Sequence, residues 1–459
     1  MKNKLLLNII FVLSLTSCGL LPQKNSDNKV LFYAWGNQTE IGYIQDMIDG
    51  FNATSDGVKV ELERATSSDP VNDLKTRFSS GSEPDVFYMD PGELGAFVKG
   101  DYIEPLNSYL QKGSKFVVDD LWEFNDYYKL NENGIQSDDG QYYGFIKDLS
   151  PDFIMIYNKD MIDEYNAKNT GDHIEYPSET VPMTWYEFMN LAKKMTVMSG
   201  TNYVRYGTMV DYVPVKHLTQ LVQQTGNSIF NEDKTGLNID KDGNINEGLL
   251  EAFQYFYDLQ VSSSSHTAPS KFINSNLISS ADAFKENNVF SIWYGRWAFS
   301  AYEYDLDKMN IGFAPCPVPE RKNNDASDNY GITSGMIGYS MSKRCKNKDA
   351  AYAFIEYAMT EGCKQMAQIG HNVPGNKKVA ENEFCNVSNE KTKKLNQFYT
   401  NYLLKYTHAI DISPYIQSSK FDNIIFMELS KAYEGKQTLE KAIITAHNKI
   451  KTETSGNIK

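Results

Sequence analysis

Residues 287–303, NNVFSIWYGRWAFSAYE, gather Trp293, Tyr294 and Trp297 around Gly295 and Arg296 in a chain with only 5 tryptophans among 459 residues. Aromatic faces match the C–H faces of sugar rings, and a stacked ring adds about 0.5–1.5 kcal/mol beyond burial, by analogy with aromatic pairs. Glycine at 295 would let a ligand or another backbone approach closely. VFSIWY reads as a strand ending at Gly295 and RWAFSAYE as a helix starting behind it, so the rings would meet at a strand-to-helix turn. The competing reading is core packing, the usual fate of aromatic residues in strands.

Other spacings tempt and fail. Ser340-Met-Ser-Lys343, Ser327-Asp328-Asn329 and Lys234-Thr235-Gly236 copy three elements of penicillin-interacting enzymes, but in reversed chain order. In NIDKDGNINEGL, Asn238, Asp240, Asp242 and Gly243 begin like a calcium loop, yet Leu249 stands where the bidentate glutamate belongs, so a turn-rich loop entering a helix is the better reading. The 6 histidines, His173, His217, His266, His371, His408 and His447, include no HExxH and no pair at ligand spacing. No Gly-x-Ser-x-Gly, Walker loop or GxGxxG occurs. The sequence therefore gives no positive sign of catalysis, metal or cofactor.

A net charge of −14 argues against a nucleic-acid partner, whose phosphates demand a basic face. The opening MKNKLLLNIIFVLSLTSCGL has two lysines, an apolar run from Leu5 to Leu15, and Cys18 behind Leu15-Thr16-Ser17. Eleven helical residues rise about 16 Å, roughly half of a hydrocarbon core, so this run reads as a secretory signal over 1–17. The last four residues resemble a bacterial lipobox, which makes Cys18 the lipid-modified first residue of the mature chain and 18–29 a tether. Losing Lys2 and Lys4 leaves the rest more acidic still. Cys316, Cys345, Cys363 and Cys385 are too widely spread for zinc and too few to staple a chain of this size.

The length predicts at least two lobes. VLFYAW reads as a strand, and Ile44, Met47, Ile48 and Phe51 then give a helical stripe. VKVELE alternates as a second strand, DPVNDLKTRF follows with Asp69 as N-cap and Pro70 at the first helical position, and PDVFYM supplies a third strand. Such alternation builds a parallel sheet flanked by helices, with ligands at the carboxyl ends of its strands. The middle, about 150–285, is richer in helix: Thr184 and Glu187 form a capping box ahead of WYEFMNLAKKM, and EGLLEAFQYFYDL places Leu249, Phe253, Phe256 and Tyr257 on one stripe. NIGFAPCPVP and SGMIGYSMS return to strand, and the last hundred residues are mostly helical.

FYAWGNQ, SSGSEPDVFYMD, DYIEPLNSYL, YYGFIKD with IYNKDMI, PMTWYEF, FSIWYGRW, GFAPCPVP and SKRCKNKDAAYAFIEYAMT, in that order, resemble the extracellular solute-binding proteins of bacterial carbohydrate ABC importers, the family that includes maltose-binding protein. The resemblance spans about 30–450. It implies an α/β fold of two lobes, type II and periplasmic-binding-protein-like, with the ligand cleft between them: lobe 1 from 30–145 with a return at 305–360, lobe 2 from 146–304 with 361–459. It implies a monomer that closes on a sugar or oligosaccharide at the extracellular face of the membrane and docks on the importer's membrane subunits, without being an enzyme. Carried over by block, Trp35 and Asn37 line the cleft, and Asp90 accepts hydroxyls. Asp148 takes the place of a second acid, with Ile146 where the family usually has proline. Trp293 or Trp297, with Tyr294 and Gly295, supplies the stacking ring, and Tyr330 in NYGITSG joins them. Asp85 and Trp185 are structural. The alternatives are a surface glycan hydrolase, or the same fold holding a polyol, a glycerophosphodiester or a peptide.

Overall fold

The computed structural model describes residues 28–456, apart from 56, 68, 111–112, 211–213, 262–278, 303, 321–331 and 412. The signal, Cys18 and Tyr330 lie outside the described residues.

KVLFYA forms β1 (Lys29–Ala34), with Val30, Phe32 and Ala34 facing one side and Tyr33 the other, as a strand's alternation requires. Helix α1 (Gln38–Thr54) buries Ile41, Ile44, Met47, Ile48 and Phe51 against that side. β2 (Lys59–Arg64), α2 (Pro70–Ser80), β3 (Val86–Met89) and α3 (Pro91–Lys99) follow, and β1 pairs in parallel with both β2 and β3. Asp69 caps α2 and Pro70 starts it, as the spacing predicts. A small hairpin of β4 (Lys129–Leu130) and β5 (Gln141–Tyr142) precedes β6 (Phe145–Pro151).

After Pro151 the chain turns through Asp152 and Phe153, whose φ of 62° is left-handed, and enters a second sheet. That sheet comprises β7 (Ile154–Asn158), β8 (Val197–Ser199), β9 (Asn202–Met209), β10 (Val289–Tyr294) and β11 (Ile311–Ala314), in the order β11-β7-β10-β9-β8. The chain then recrosses. β12 (Ile332–Met341) inserts antiparallel between β3 and β6, β13 (Val373–Pro374) lines the far edge of β6, and β14 (Thr407–Ala409) pairs with β12. The first sheet therefore runs β13-β6-β12-β3-β1-β2.

Helices Lys348–Met359 and α1 cover one face of the first sheet. Helices Trp185–Met195, Pro214–Gln224, Glu247–Val261, Ser418–Tyr433 and Leu439–Ser455 cover one face of the second. This division differs from the expected one. β11 stays in the second sheet because its backbone completes the open edge of β7, which the return segment was expected to leave behind. Residues 363–404, expected in the second lobe, lie along both: β13 hydrogen-bonds β6, while Phe398 packs on Phe313 of β11 at 5.0 Å. All four cysteines of the body are buried and free. No helix among the described residues is long and apolar enough to cross a membrane.

Candidate functional site

A cavity of about 930 Å³ opens between the lobes at the carboxyl end of β3. The start of α3 lines it from the first lobe, Lys216 of helix Pro214–Gln224 from the second, and Asp152 and Gly335 from the crossing. A chamber of about 260 Å³ shares Asp90, Glu93 and Lys216 with it and adds Asp422.

Asp90 reaches this place because β3 is buried throughout and ends at Met89, after which Pro91 starts a helix. The carboxylate caps that helix, accepting from the Gly92 N–H at 2.8 Å, and Asp90 lines the cavity. Burial pushes its pKa up, and the Lys216 ammonium pulls the other way. Asp152 stands in the turn between sheets, 7% exposed, and accepts from Ser150 Oγ at 2.9 Å and from Trp297 Nε1 at 3.2 Å. Burial raises its pKa too, again opposed by Lys216.

Gly295 is essential to that contact. A Cβ there would stand 2.3 Å from Asp152 Oδ1 and 2.6 Å from Ser150 Oγ. The close approach read from the sequence is thus made by a carboxylate of the crossing turn.

Trp297 remains partly exposed and hydrogen-bonded to the cavity-lining Asp152, with Tyr294 edge-on to its ring at 5.7 Å, but contrary to expectation neither ring, nor Gly295, lines the cavity itself. Tyr294 itself is buried, its hydroxyl 3.0 Å from Ser280 Oγ. Trp293 departs from expectation: it is 1% exposed, packed in the second lobe's core at 5.4 Å from Phe188 and 5.8 Å from His217. The reason is that β10 lies between β7 and β9 with helices over that face, so alternation sends Trp293 inward.

Three first-lobe residues also differ. Trp35 is partly exposed, edge-on to Tyr88 at 5.5 Å, and does not line the cavity. Asn37 is taken up by a capping box, accepting from the Glu40 N–H at 2.9 Å while Glu40 accepts from its own N–H at 2.8 Å. Asp148 is buried and ion-paired with the adjacent Lys147, because without a proline at 146 β6 runs on as a strand through Pro151. Asp85 and Trp185 are structural as expected: Asp85 accepts from the Leu31 N–H at 2.9 Å, and Trp185 stacks on Tyr255 at 4.5 Å. In the calcium-like loop Asp240 accepts from the Asp242 and Asn244 backbones, closing a turn on itself. No cluster of metal-ligating side chains occurs among the described residues.

The sequence reading missed Asp152, Glu93 and Lys216. Only the proline before Asp152 hinted at a turn; Lys216 sits in an ordinary amphipathic helix. It also missed a second polar contact between lobes. His371 Nε2 lies 2.8 Å from Glu40 of α1, and its Nδ1 lies 2.8 Å from Ser300 Oγ of the helix Trp297–Ala301. Burial pushes the Glu40 carboxyl up, but the bond and charge of His371, with the Asn37 N–H and the Lys147 ammonium, together outweigh it and hold it down at about 2.

Two α/β lobes, crossed by the chain and enclosing a cavity of mixed polar and apolar lining at strand ends, define a hinged solute-binding architecture. The chain belongs to the bacterial extracellular solute-binding protein family, whose model matches residues 46–394. Among curated relatives, a galactooligosaccharide-binding protein of Bacillus subtilis (strain 168) is 22% identical, over 97% of this chain and 96% of its own. Among solved structures, an ABC substrate-binding protein of Listeria monocytogenes in complex with cycloalternan superposes with a TM-score of 0.74 at 21% identity, covering 93% of this chain and 99% of that one. The maltose/maltodextrin-binding domain of Bdellovibrio bacteriovorus bound to maltotriose gives 0.67 at 15% identity, covering 94% and 99%. These superpositions establish the two-lobed periplasmic-binding-protein-like fold.

Proposed function

We propose that this chain is a lipid-anchored receptor that captures a sugar or oligosaccharide by closure of its lobes and hands it to an ABC importer. The observation that carries this reading is the pairing of Asp90 and Asp152 across one cavity, with the Trp297 indole tied to Asp152. Carboxylates accept hydroxyl hydrogens in charge-assisted bonds, and a buried carboxylate left unpaired costs about 1–3 kcal/mol, which rejects solutes lacking the hydroxyl. The relatives' names, with a galactooligosaccharide, cycloalternan and maltotriose among their ligands, support the same solute class. Closure of hinged lobes around a ligand is the general behaviour of periplasmic binding proteins.

A thermal-shift screen over mono- and oligosaccharides, polyols, glycerophosphodiesters and peptides tests it. Stabilisation should follow RT ln(1 + [L]/Kd) for a carbohydrate, which is recovered intact. Released product would favour a hydrolase, and stabilisation by a non-sugar alone would change the cargo. The anchor rests on Cys18: metabolic labelling should place palmitate on the wild type, and Cys18→Ala should shed unlabelled protein into the medium.

A further inference from the structure

Lys216 stands apart from the other lysines of the cleft. Lys75 is paired with Glu93 at 2.8 Å and Lys234 with Asp411, and the unpaired Lys99 is exposed at the rim, whereas Lys216 is partly buried and makes no ion pair or hydrogen bond with any described residue. It is nevertheless surrounded by acid. It lines both the cavity and the side chamber, where Asp90 and Glu93 come from α3, Asp152 from the crossing turn, and Asp422 from helix Ser418–Tyr433. Its neighbours His217, Leu218 and Leu221 are buried in the second lobe's core, so the helix cannot turn Lys216 away without unpacking. An ammonium held among carboxylates from both lobes and the turn between them, with no partner of its own, is placed to act on all of them at once.

We propose that Lys216 is a specificity-determining residue of the cleft: its ammonium, placed in the same cavity, opposes protonation of Asp90 and Asp152 and so favours their acceptor-only form toward the solute. An ionised carboxylate accepts and cannot donate, while a protonated one carries an O–H of its own. Lys216 thus biases the cleft toward solutes that offer donors, as sugar hydroxyls do. This role rests on the receptor reading for its consequence, but its electrostatic part stands without a ligand. Burial pushes Asp90, Asp152 and Asp422 upward, with Asp422 at about 6, and Lys216 is the leading opposing charge for each. Glu93 adds to the upward push on Asp90 and Asp422.

Trp297 supplies the reporter, because its indole N–H donates to Asp152 and its ¹H–¹⁵N signal follows that carboxylate's charge. In the free full-length body, Lys216→Met should raise the pH midpoint of this signal by about one unit, equivalent to about tenfold in proton affinity, and Lys216→Arg should restore it. A midpoint unmoved by Lys216→Met would overturn the proposal, whatever the ligand. With maltotriose as probe, or whichever saccharide the screen returns, Lys216→Met should weaken binding about tenfold more at pH 5.5 than at pH 8. An equal loss at both would reduce Lys216 to a packing role and overturn it as well. If no saccharide binds the wild type while the indole midpoint moves as stated, the receptor reading fails and the charge role stands.

Discussion

The Trp297 indole N–H donates to Asp152 Oδ1 at 3.2 Å, tying the partly exposed ring of the aromatic turn to the carboxylate that stands where the chain first passes between lobes. Ring position and lobe geometry are therefore linked through one hydrogen bond. Gly295 lies directly against it.

The two neighbouring tryptophans should separate cleanly. Trp297→Ala should lower saccharide affinity at least about tenfold with the fold retained, because it frees the Asp152 carboxylate from the indole that holds it at the cavity. Trp293→Ala should instead cost about 3–5 kcal/mol of stability, since it opens a hole in a packed core. Urea unfolding and fluorescence titration of both variants check this; the reverse pattern would reassign the rings.

Gly295→Ala tests the contact behind them. Its Cβ would meet Asp152 Oδ1 at 2.3 Å, too close for any relaxed structure, so the carboxylate must move. The expected outcome is a displaced Trp297 indole resonance and about tenfold weaker binding, with unfolding still cooperative.

Asp90→Asn isolates charge from capping. Asparagine caps a helix as well as aspartate does, so stability should change by no more than about 0.5 kcal/mol. Affinity should fall at least about tenfold, because the amide is a weaker and partly reversed partner for hydroxyls. Calorimetry and a thermal melt read the two effects separately.

Glu40 predicts the acid limb of the stability curve. Its carboxyl is depressed from 4.5 to about 2 in the folded chain, so its contribution is full above the unfolded value and is lost as pH falls through that interval. That depression corresponds to about 3 kcal/mol. Glu40→Gln should flatten stability between about pH 4.5 and 2 while lowering it at pH 7, as read by denaturant melts across pH.

Much of the scaffold was legible. The first two strand–helix units and the third strand, the Asp69 cap with Pro70, the Thr184–Glu187 box and the strand ending before Gly295 all stand as read, because each depends on residues within a few positions of one another. Asp90 was legible only through the family resemblance, as a loop residue; that it caps a helix at the strand's carboxyl end is what the structure adds. Asn37 was misread by an equally local rule, since Glu40 three residues on marked it as half of a capping box.

What the sequence determined alone was the run of elements, the acidic balance and the turn at which the aromatic rings gather. Only the tertiary structure decided that Trp297 stays near the cleft while Trp293 is walled in, that β11 remains with the second sheet, and that Asp152 and Lys216 converge on Asp90. Spacing says which residues share a face of an element, but whether that face meets solvent depends on what packs over it. For β10 the covering helices come from segments as distant as Trp185–Met195 and Pro214–Gln224, beyond the reach of any local pattern.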